Sequence, residues 1–349
     1  METQTVKNQN EIWIDIAKAV SIFGVVLLHV QGYVYNSEFI YQSVRFVVAL
    51  FILIGGYNAI TSYERRGKFL LMNKIKRILI PYVVATIIYC VWNNRSFNVL
   101  TILDSLIHFN ACSPMYYVAA YLQLLIISPV LIWVIGWCEN GVKTKFLRYL
   151  VSWGIVLVVC YLSSHYTNIL GIIIGGGNLF SGNWLIFWFA GMCLWKWGVP
   201  SLCKKHKYTV AIASTLVLIT WHYLFVGKEL IIRLTPMLDS ETIDLTWGHF
   251  FEVIVLVFWF VSVTASLEGL EKKQINTLLT DIGFFGKQSL YIFLYHILCR
   301  NFYTEYLGIG SVLSRFVCLI FLIAGPVAIG FLLRFLRSMF EKMIYALTA

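Results

Sequence analysis

The sequence is short of charge. Only 13% of its 349 residues are Asp, Glu, Lys or Arg, whereas 59% are hydrophobic. Soluble globular domains carry about 25% charged residues. This composition therefore excludes an ordinary soluble domain and indicates a protein that lies within a membrane.

Paired cysteines and a cleavable leader are also lacking. The eight cysteines are scattered along the chain and none of them forms a CxxC pair, which argues against a disulfide framework and against a zinc site. The N-terminus has neither the basic region nor the small-residue cleavage site of a signal peptide, and its first apolar run contains Asp15 and Lys18. We therefore expect this first apolar segment to be retained as a membrane span.

What the sequence does contain is a series of apolar segments. About 20 helical residues cross a hydrocarbon core of about 30 Å, and ten segments of this kind follow one another with short connections. The sequence predicts an all-α polytopic membrane protein with a single domain over residues 1–349 and short tails at residues 1–12 and 335–349. The predicted spans are 17–35, 43–61, 78–94, 114–136, 150–167, 183–198, 208–226, 248–267, 286–304 and 312–334.

Basic residues collect on one side of these spans. The chain has 27 Lys and Arg against 17 Asp and Glu, a net charge of +10. With a cytoplasmic N-terminus, all but six cations fall on the inner side, as the positive-inside rule predicts when both termini are cytoplasmic. These cations then face anionic membrane lipid, so no nucleic-acid partner is needed to explain them. The six exceptions are Arg45, Arg95, Lys228, Arg233, Arg300 and Arg315.

Two ionisable residues share one face of the first span, in the stretch "IDIAKAVSIFGVVLLHV" (residues 14–30). Lys18 and His29 are eleven residues apart, which leaves an angular offset of about 20° and a rise of about 16 Å on an α-helix. Lys18 can be a boundary lysine whose ammonium reaches the interface, and His29 can be a packing residue. Ionisable groups inside a bilayer more often mark a substrate or proton path, and this favours a functional His29.

Two further pairs are candidates. Lys74 and Arg77 lie three residues apart in the basic connection 63–81, which we expect to form a surface helix before Pro81 opens the third span. They can bind an anionic phosphate group or serve membrane topology alone. Ser289 and His296 lie seven residues apart, on nearly the same helical face of the ninth span. His296 can equally be structural.

These segments together resemble the integral-membrane acyltransferase-3 family. "DIAKAVSIFGVVLLH" is similar to its first-span motif, in which Arg or Lys precedes His. Lys18 stands where Arg is commoner, Gly55 where Ser is usual, and Phe293 where the late motif has Tyr. Met115 and Tyr116 stand where the fourth-span motif gives Leu and Trp. The other matching segments, in chain order, are "FILIGGYNAI" (51–60), "NKIKRILIPYVV" (73–84), "SPMYYVAAYLQLLIISPVL" (113–131) and "SLYIFLYHI" (289–297).

The resemblance implies a multi-pass enzyme of the plasma (inner) membrane. It is most similar to the stand-alone O-acetyltransferases of surface polysaccharides, which lack a fused SGNH-type hydrolase domain. Such an enzyme moves an acyl group, by default acetyl, from cytoplasmic acyl-CoA to a hydroxyl of a cell-envelope polysaccharide or lipid-linked sugar. Acyl-CoA is then the co-substrate, and no metal is expected.

The same resemblance implies roles for the candidate residues. Lys18, Lys74 and Arg77 are expected to hold the acyl-CoA anion. His29 is expected to act as general base or as acyl relay. The groups that orient His29 or stabilise the tetrahedral oxyanion are expected among Tyr116, Tyr117, Ser289 and His296.

Two other classes of function stay open on the sequence. A transporter or exporter of glycans or small solutes can use buried His and Lys residues as a proton relay, although no internal repeat is visible. A membrane scaffold for polysaccharide assembly would need no chemistry at these residues. Assembly into a homo-oligomer is compatible with each of the three.

Overall fold

The computed structural model describes residues 11–94, 97–141, 144–174, 184–226 and 247–348, so Arg95, Lys228 and Arg233 lie outside the described residues. The described chain is helical, with one isolated β-bridge between Gln31 and Tyr35. A 3₁₀ turn covers Ser113–Met115 and a π-helical turn covers His222–Val226. The helices are α1 Ile12–Leu28, α2 Glu38–Ser43, α3 Val47–Arg66, α4 Leu71–Asn94, α5 Val99–His108, α6 Tyr116–Gly141, α7 Lys145–Ile174, α8 Trp184–Lys196, α9 Val199–Lys205, α10 Lys207–Trp221, α11 Trp247–Glu268, α12 Lys273–Lys287, α13 Ser289–Tyr306 and α14 Val312–Thr348.

The helices support an all-α membrane protein. In the described part of the chain, five helices are long and apolar enough to cross a membrane, and a sixth span is present if α8 and α9, bent by 56°, are taken together. Each of the ten predicted spans overlaps a helix. The number ten and the cytoplasmic position of both termini stay predictions. The last helix continues to Thr348, through the residues predicted as a C-terminal tail.

The first predicted span was placed too far along the chain. Helix α1 begins at Ile12 and ends at Leu28, whereas the prediction ran from residue 17 to residue 35. The chain turns over residues 29–36, where Gly32 has a positive φ of 80°. The hydroxyl of Tyr35 folds back and donates to the carbonyl of Leu27 at 3.0 Å, which satisfies a helix-end acceptor.

The separate surface helix predicted before Pro81 is wrong. Helix α4 begins at Leu71 and passes through Pro81 without a break. Proline is tolerated inside membrane helices because neighbouring groups can satisfy the freed backbone acceptor. As a result, Lys74 and Arg77 lie on the first turns of the same helix that continues into the third span.

Close backbone contacts fix the helices that carry the site. A Cβ atom on Gly286 of α12 would lie 1.8 Å from the carbonyl oxygen of Asp15 in α1, so only glycine allows these two helices to meet there. Gly56 of α3 makes the same kind of contact with the carbonyl of Trp188 in α8, where a Cβ would lie 1.9 Å away. The backbone N–H of Leu298 in α13 donates to the Tyr89 hydroxyl of α4 at 2.8 Å.

Candidate active site

His29 lies at the C-terminal end of α1. Its backbone N–H still donates to the carbonyls of Val26 (3.1 Å) and Val25 (3.3 Å), so the residue completes the last helical turn. Lys18 is half-buried in the second turn of the same helix. The predicted separation of about 16 Å therefore spans one continuous helix. His29 sits where that helix ends, and not in the middle of a longer span.

His296 lies beside His29. The two ring centroids are 5.1 Å apart, and His296 is completely buried in α13. Its Nδ1 lies 3.0 Å from the carbonyl of Ile292 and 2.8 Å from that of Phe293. A carbonyl can only accept, so Nδ1 carries the proton and Nε2 of the neutral ring is a bare acceptor. Within the described residues Nε2 has no hydrogen-bond partner.

A cavity of about 160 Å³ opens beside this pair and is lined by His29, Tyr116 and Tyr117 together with Phe293 and Tyr41. Tyr117 packs on Phe293, with centroids 5.1 Å apart. Phe293 in turn lies 6.3 Å from the His296 ring. The first turn of α6 thus brings two hydroxyl groups to the wall of the cavity that His29 also lines.

Ser289 is not at this level of the molecule. It is the first residue of α13, half-buried, and seven residues before His296. That spacing corresponds to a rise of about 10 Å along the helix. The preceding residue, Gln288, accepts a hydrogen bond of 2.8 Å from Arg334 of α14. Ser289 therefore lies next to the residue that contacts Arg334, and it is well separated along α13 from the histidine pair.

The three predicted acyl-CoA cations form one electrostatic cluster. Lys18 interacts with Arg77 across helices, and Arg77 also interacts with Lys74. Asp15 interacts electrostatically with Lys18 and makes an ion pair of 3.8 Å with Lys287. Like charges repel one another, and a bound anion would relieve that repulsion.

Arg300 is a site residue that sequence reasoning missed. Its Nη1 donates to the carbonyl of His29 at 3.0 Å, and its Nη2 donates to the side-chain oxygen of Asn301 at 3.0 Å. Its guanidinium also lies 5.1 Å from the ring centre of Tyr33. The signal was present in the sequence, because Arg300 is a charge inside a predicted span, four residues after His296 and so on the same helical face.

The arrangement suits proton transfer at an acyl centre. His29, Tyr116 and Tyr117 line the cavity. The ring of His296 lies beside that of His29, and Arg300 holds the His29 carbonyl at the end of α1. Among the residues that the structure describes, no group of three or more His, Cys, Asp or Glu is arranged to hold a metal ion.

Comparison with known proteins gives one match. The model of the acyltransferase-3 family, described as an acyltransferase domain, matches residues 11–334. No curated protein and no solved structure matches the chain.

Proposed function

The chain belongs to the acyltransferase-3 family, and on that premise we propose that it moves an acyl group, by default acetyl, from cytoplasmic acyl-CoA to a hydroxyl of a cell-envelope polysaccharide or lipid-linked sugar. The observation that supports this most directly is the His29–His296 pair beside a cavity, with Lys18 of the cationic cluster about 16 Å away along α1. The proposed location is the plasma membrane.

The cationic cluster is the proposed donor site. The phosphates of acyl-CoA are anions, and Lys and Arg donate charge-assisted hydrogen bonds to them. With these phosphates on Lys18, Lys74 and Arg77, the slender pantetheine arm extends along α1 towards His29. The thioester then reaches the cavity while the nucleotide stays at the basic end.

His29 is the proposed catalytic residue. As general base it takes the proton of the acceptor hydroxyl while that oxygen attacks the thioester carbonyl. The carbon–sulfur bond then breaks, and the thiolate leaves as CoA after taking up a proton. As acyl relay, the His29 nitrogen attacks the thioester first and passes the acyl group to the acceptor in a second step. In both routes the bare Nε2 of His296 can accept a hydrogen bond from the His29 ring.

Tyr116 and Tyr117 are the proposed stabilisers of the tetrahedral intermediate. Hydroxyl groups fixed beside the reacting carbonyl can donate to the oxyanion, and donors of this kind are worth most in a site from which water is excluded. Arg300 is a positioning residue. It donates a hydrogen bond to the backbone carbonyl of His29, and its proposed effect on the reacting atoms is through that residue.

Replacement of His29 by Ala tests the proposal. Mass spectrometry of envelope glycans compares cells that carry the wild-type protein with cells that carry the variant. Acylation of the glycans should disappear in the variant, while the amount of protein in the membrane stays unchanged. His206→Ala, at an exposed position between α9 and α10, is the matched control. Normal acylation by the His29 variant would remove that residue from the mechanism. Solute flux without consumption of acyl-CoA would favour a transporter instead.

A further inference from the structure

A histidine and a buried carboxylate form a second polar pair outside the His29 cavity. Glu252, in α11, is only 2% exposed, and its Oε1 lies 3.4 Å from Nε2 of His222. His222 follows the last residue of α10. Trp221, the residue before it, interacts with the same carboxylate. A carboxylate, an imidazole and an indole therefore meet between two helices in the membrane part of the chain.

The orientation of His222 is fixed by its own helix. Its Nδ1 lies 3.0 Å from the carbonyl of Leu218, so Nδ1 carries a proton and Nε2 is the nitrogen that faces Glu252. At 3.4 Å the contact is longer than a well-formed charged hydrogen bond, which measures about 2.7–2.9 Å. Glu252 Oε1 has no hydrogen bond to any residue that the structure describes.

An underused buried acceptor of this kind needs a physical reason. Burying a carboxylate oxygen without a hydrogen bond costs free energy, and such groups recur where a ligand or an ordered water completes the bonding. The pair is also next to an irregular segment, since residues 222–226 form a π-helical turn.

The pair is close to the cavity, and His222 is its more exposed member. The side chain of His222 is 28% exposed, whereas that of Glu252 is 2% exposed. Helix α2 contacts the π-helical turn, and Tyr41 of α2 lines the cavity that contains His29. One short helix therefore separates this pair from the proposed reaction centre.

We propose that Glu252 and His222 form a subsite for the acceptor, which binds hydroxyl groups of a sugar next to the one that is acylated. The inference rests on the proposed acyl transfer. A carboxylate accepts hydrogen bonds from hydroxyl groups, and so does Nε2 of His222, because the ring proton is on Nδ1.

The test separates the acceptor from the donor. Full-length protein with Glu252→Gln is purified in detergent and assayed with acetyl-CoA and the envelope polysaccharide of the cells that carry the protein, after removal of its acyl groups with mild base. Loss of a charged hydrogen bond should raise the KM for the polysaccharide about tenfold. The KM for acetyl-CoA should stay within about twofold of wild type. Glu268→Gln, exposed at the other end of α11, is the control and should leave both constants unchanged.

Two results would overturn this subsite: an unchanged KM for the polysaccharide, or an equal rise in both constants. If the Glu252 variant fails to accumulate, His222→Phe keeps a ring at the same position, removes its hydrogen bonding, and must show the same selective rise. Wild-type protein that transfers no acyl group to the polysaccharide would contradict the proposed function itself. Active wild-type protein with an unaffected variant would contradict the subsite alone.

Discussion

Two histidines have the same hydrogen-bonded orientation within their helices and differ in the group that they face. His296 and His222 each place Nδ1 about 3 Å from the carbonyl four residues earlier, so both expose Nε2 to another helix. Beside His296 lies the ring of His29, and beside His222 lies the carboxylate of Glu252. An imidazole beside another imidazole stays a bare base that can exchange protons. An imidazole beside a carboxylate is held in a polar contact and is suited to binding.

The largest effect is expected when His296 is replaced. The conservative change His296→Asn removes the bare nitrogen beside His29, and we expect kcat to fall about 100-fold, within the range for loss of one acid–base partner. Both KM values should stay near wild type. Steady-state kinetics with acetyl-CoA measures this, and thermal unfolding of the purified variant checks its packing. A selective rise in the polysaccharide KM would give His296 the binding role assigned to His222.

A second test removes the side chain that holds His29 in place. Arg300→Gln deletes the guanidinium that donates to the His29 carbonyl, and we expect kcat to fall about tenfold, as for loss of one charged hydrogen bond. Arg300→Lys should recover part of this loss because it keeps the charge at the helix end. Arg315→Gln, exposed on α14, is the control. Equal losses in kcat and in protein abundance would indicate a purely structural role.

A third test separates the donor site from the His29–His296 pair and from the His222–Glu252 pair. The double change Lys18→Gln and Arg77→Gln should raise the KM for acetyl-CoA about fivefold and weaken its dependence on salt, because two charges near the phosphates are lost. The KM for the polysaccharide should not move. Lys76→Gln, exposed on α4, serves as the control. An unchanged KM for acetyl-CoA would leave these cations with a topological role only.

The smallest effect is expected at Ser289. Its position about 10 Å before His296 along α13 keeps its hydroxyl away from the histidine pair, so Ser289→Ala should change kcat by less than about twofold. Acetyl transfer measured under saturating substrates is the readout. A loss of 100-fold would restore the oxyanion role that the sequence suggested for this residue.

Much of the fold could be predicted from apolar runs, but the ends of helices could not. The apolar run that contains Lys18 and His29 continues through residues 30–35. The span predicted from hydropathy therefore extends beyond the actual end of the helix at Leu28. The chain turns there because of Gly32 and because Tyr35 satisfies a helix-end carbonyl. At Pro81 a helix start was predicted where there is none. Proline is common at the beginning of a helix, but Pro81 lies inside α4.

The site was visible in pieces. Helical spacing put Lys18 and His29 on one face, and resemblance to a family singled out His296, but neither shows that the two imidazoles touch. Arg300 and Glu252 were visible as charges within apolar segments. Their partners, the carbonyl of His29 and the ring of His222, lie on other helices. No spacing rule along one chain segment connects them.

The backbone contact between Gly286 and Asp15 affects the position of side chains that lie far from it. Gly286 lies two residues before the residue that joins α12 to α13, and Asp15 lies near the start of α1. This contact therefore fixes α1, which carries His29, against the helix that leads directly into α13. A slip of one residue would shift α1 by 1.5 Å and rotate it by about 100°. The position of the His29 imidazole relative to His296 thus depends on a glycine contact at Asp15, about 21 Å away from His29 along α1.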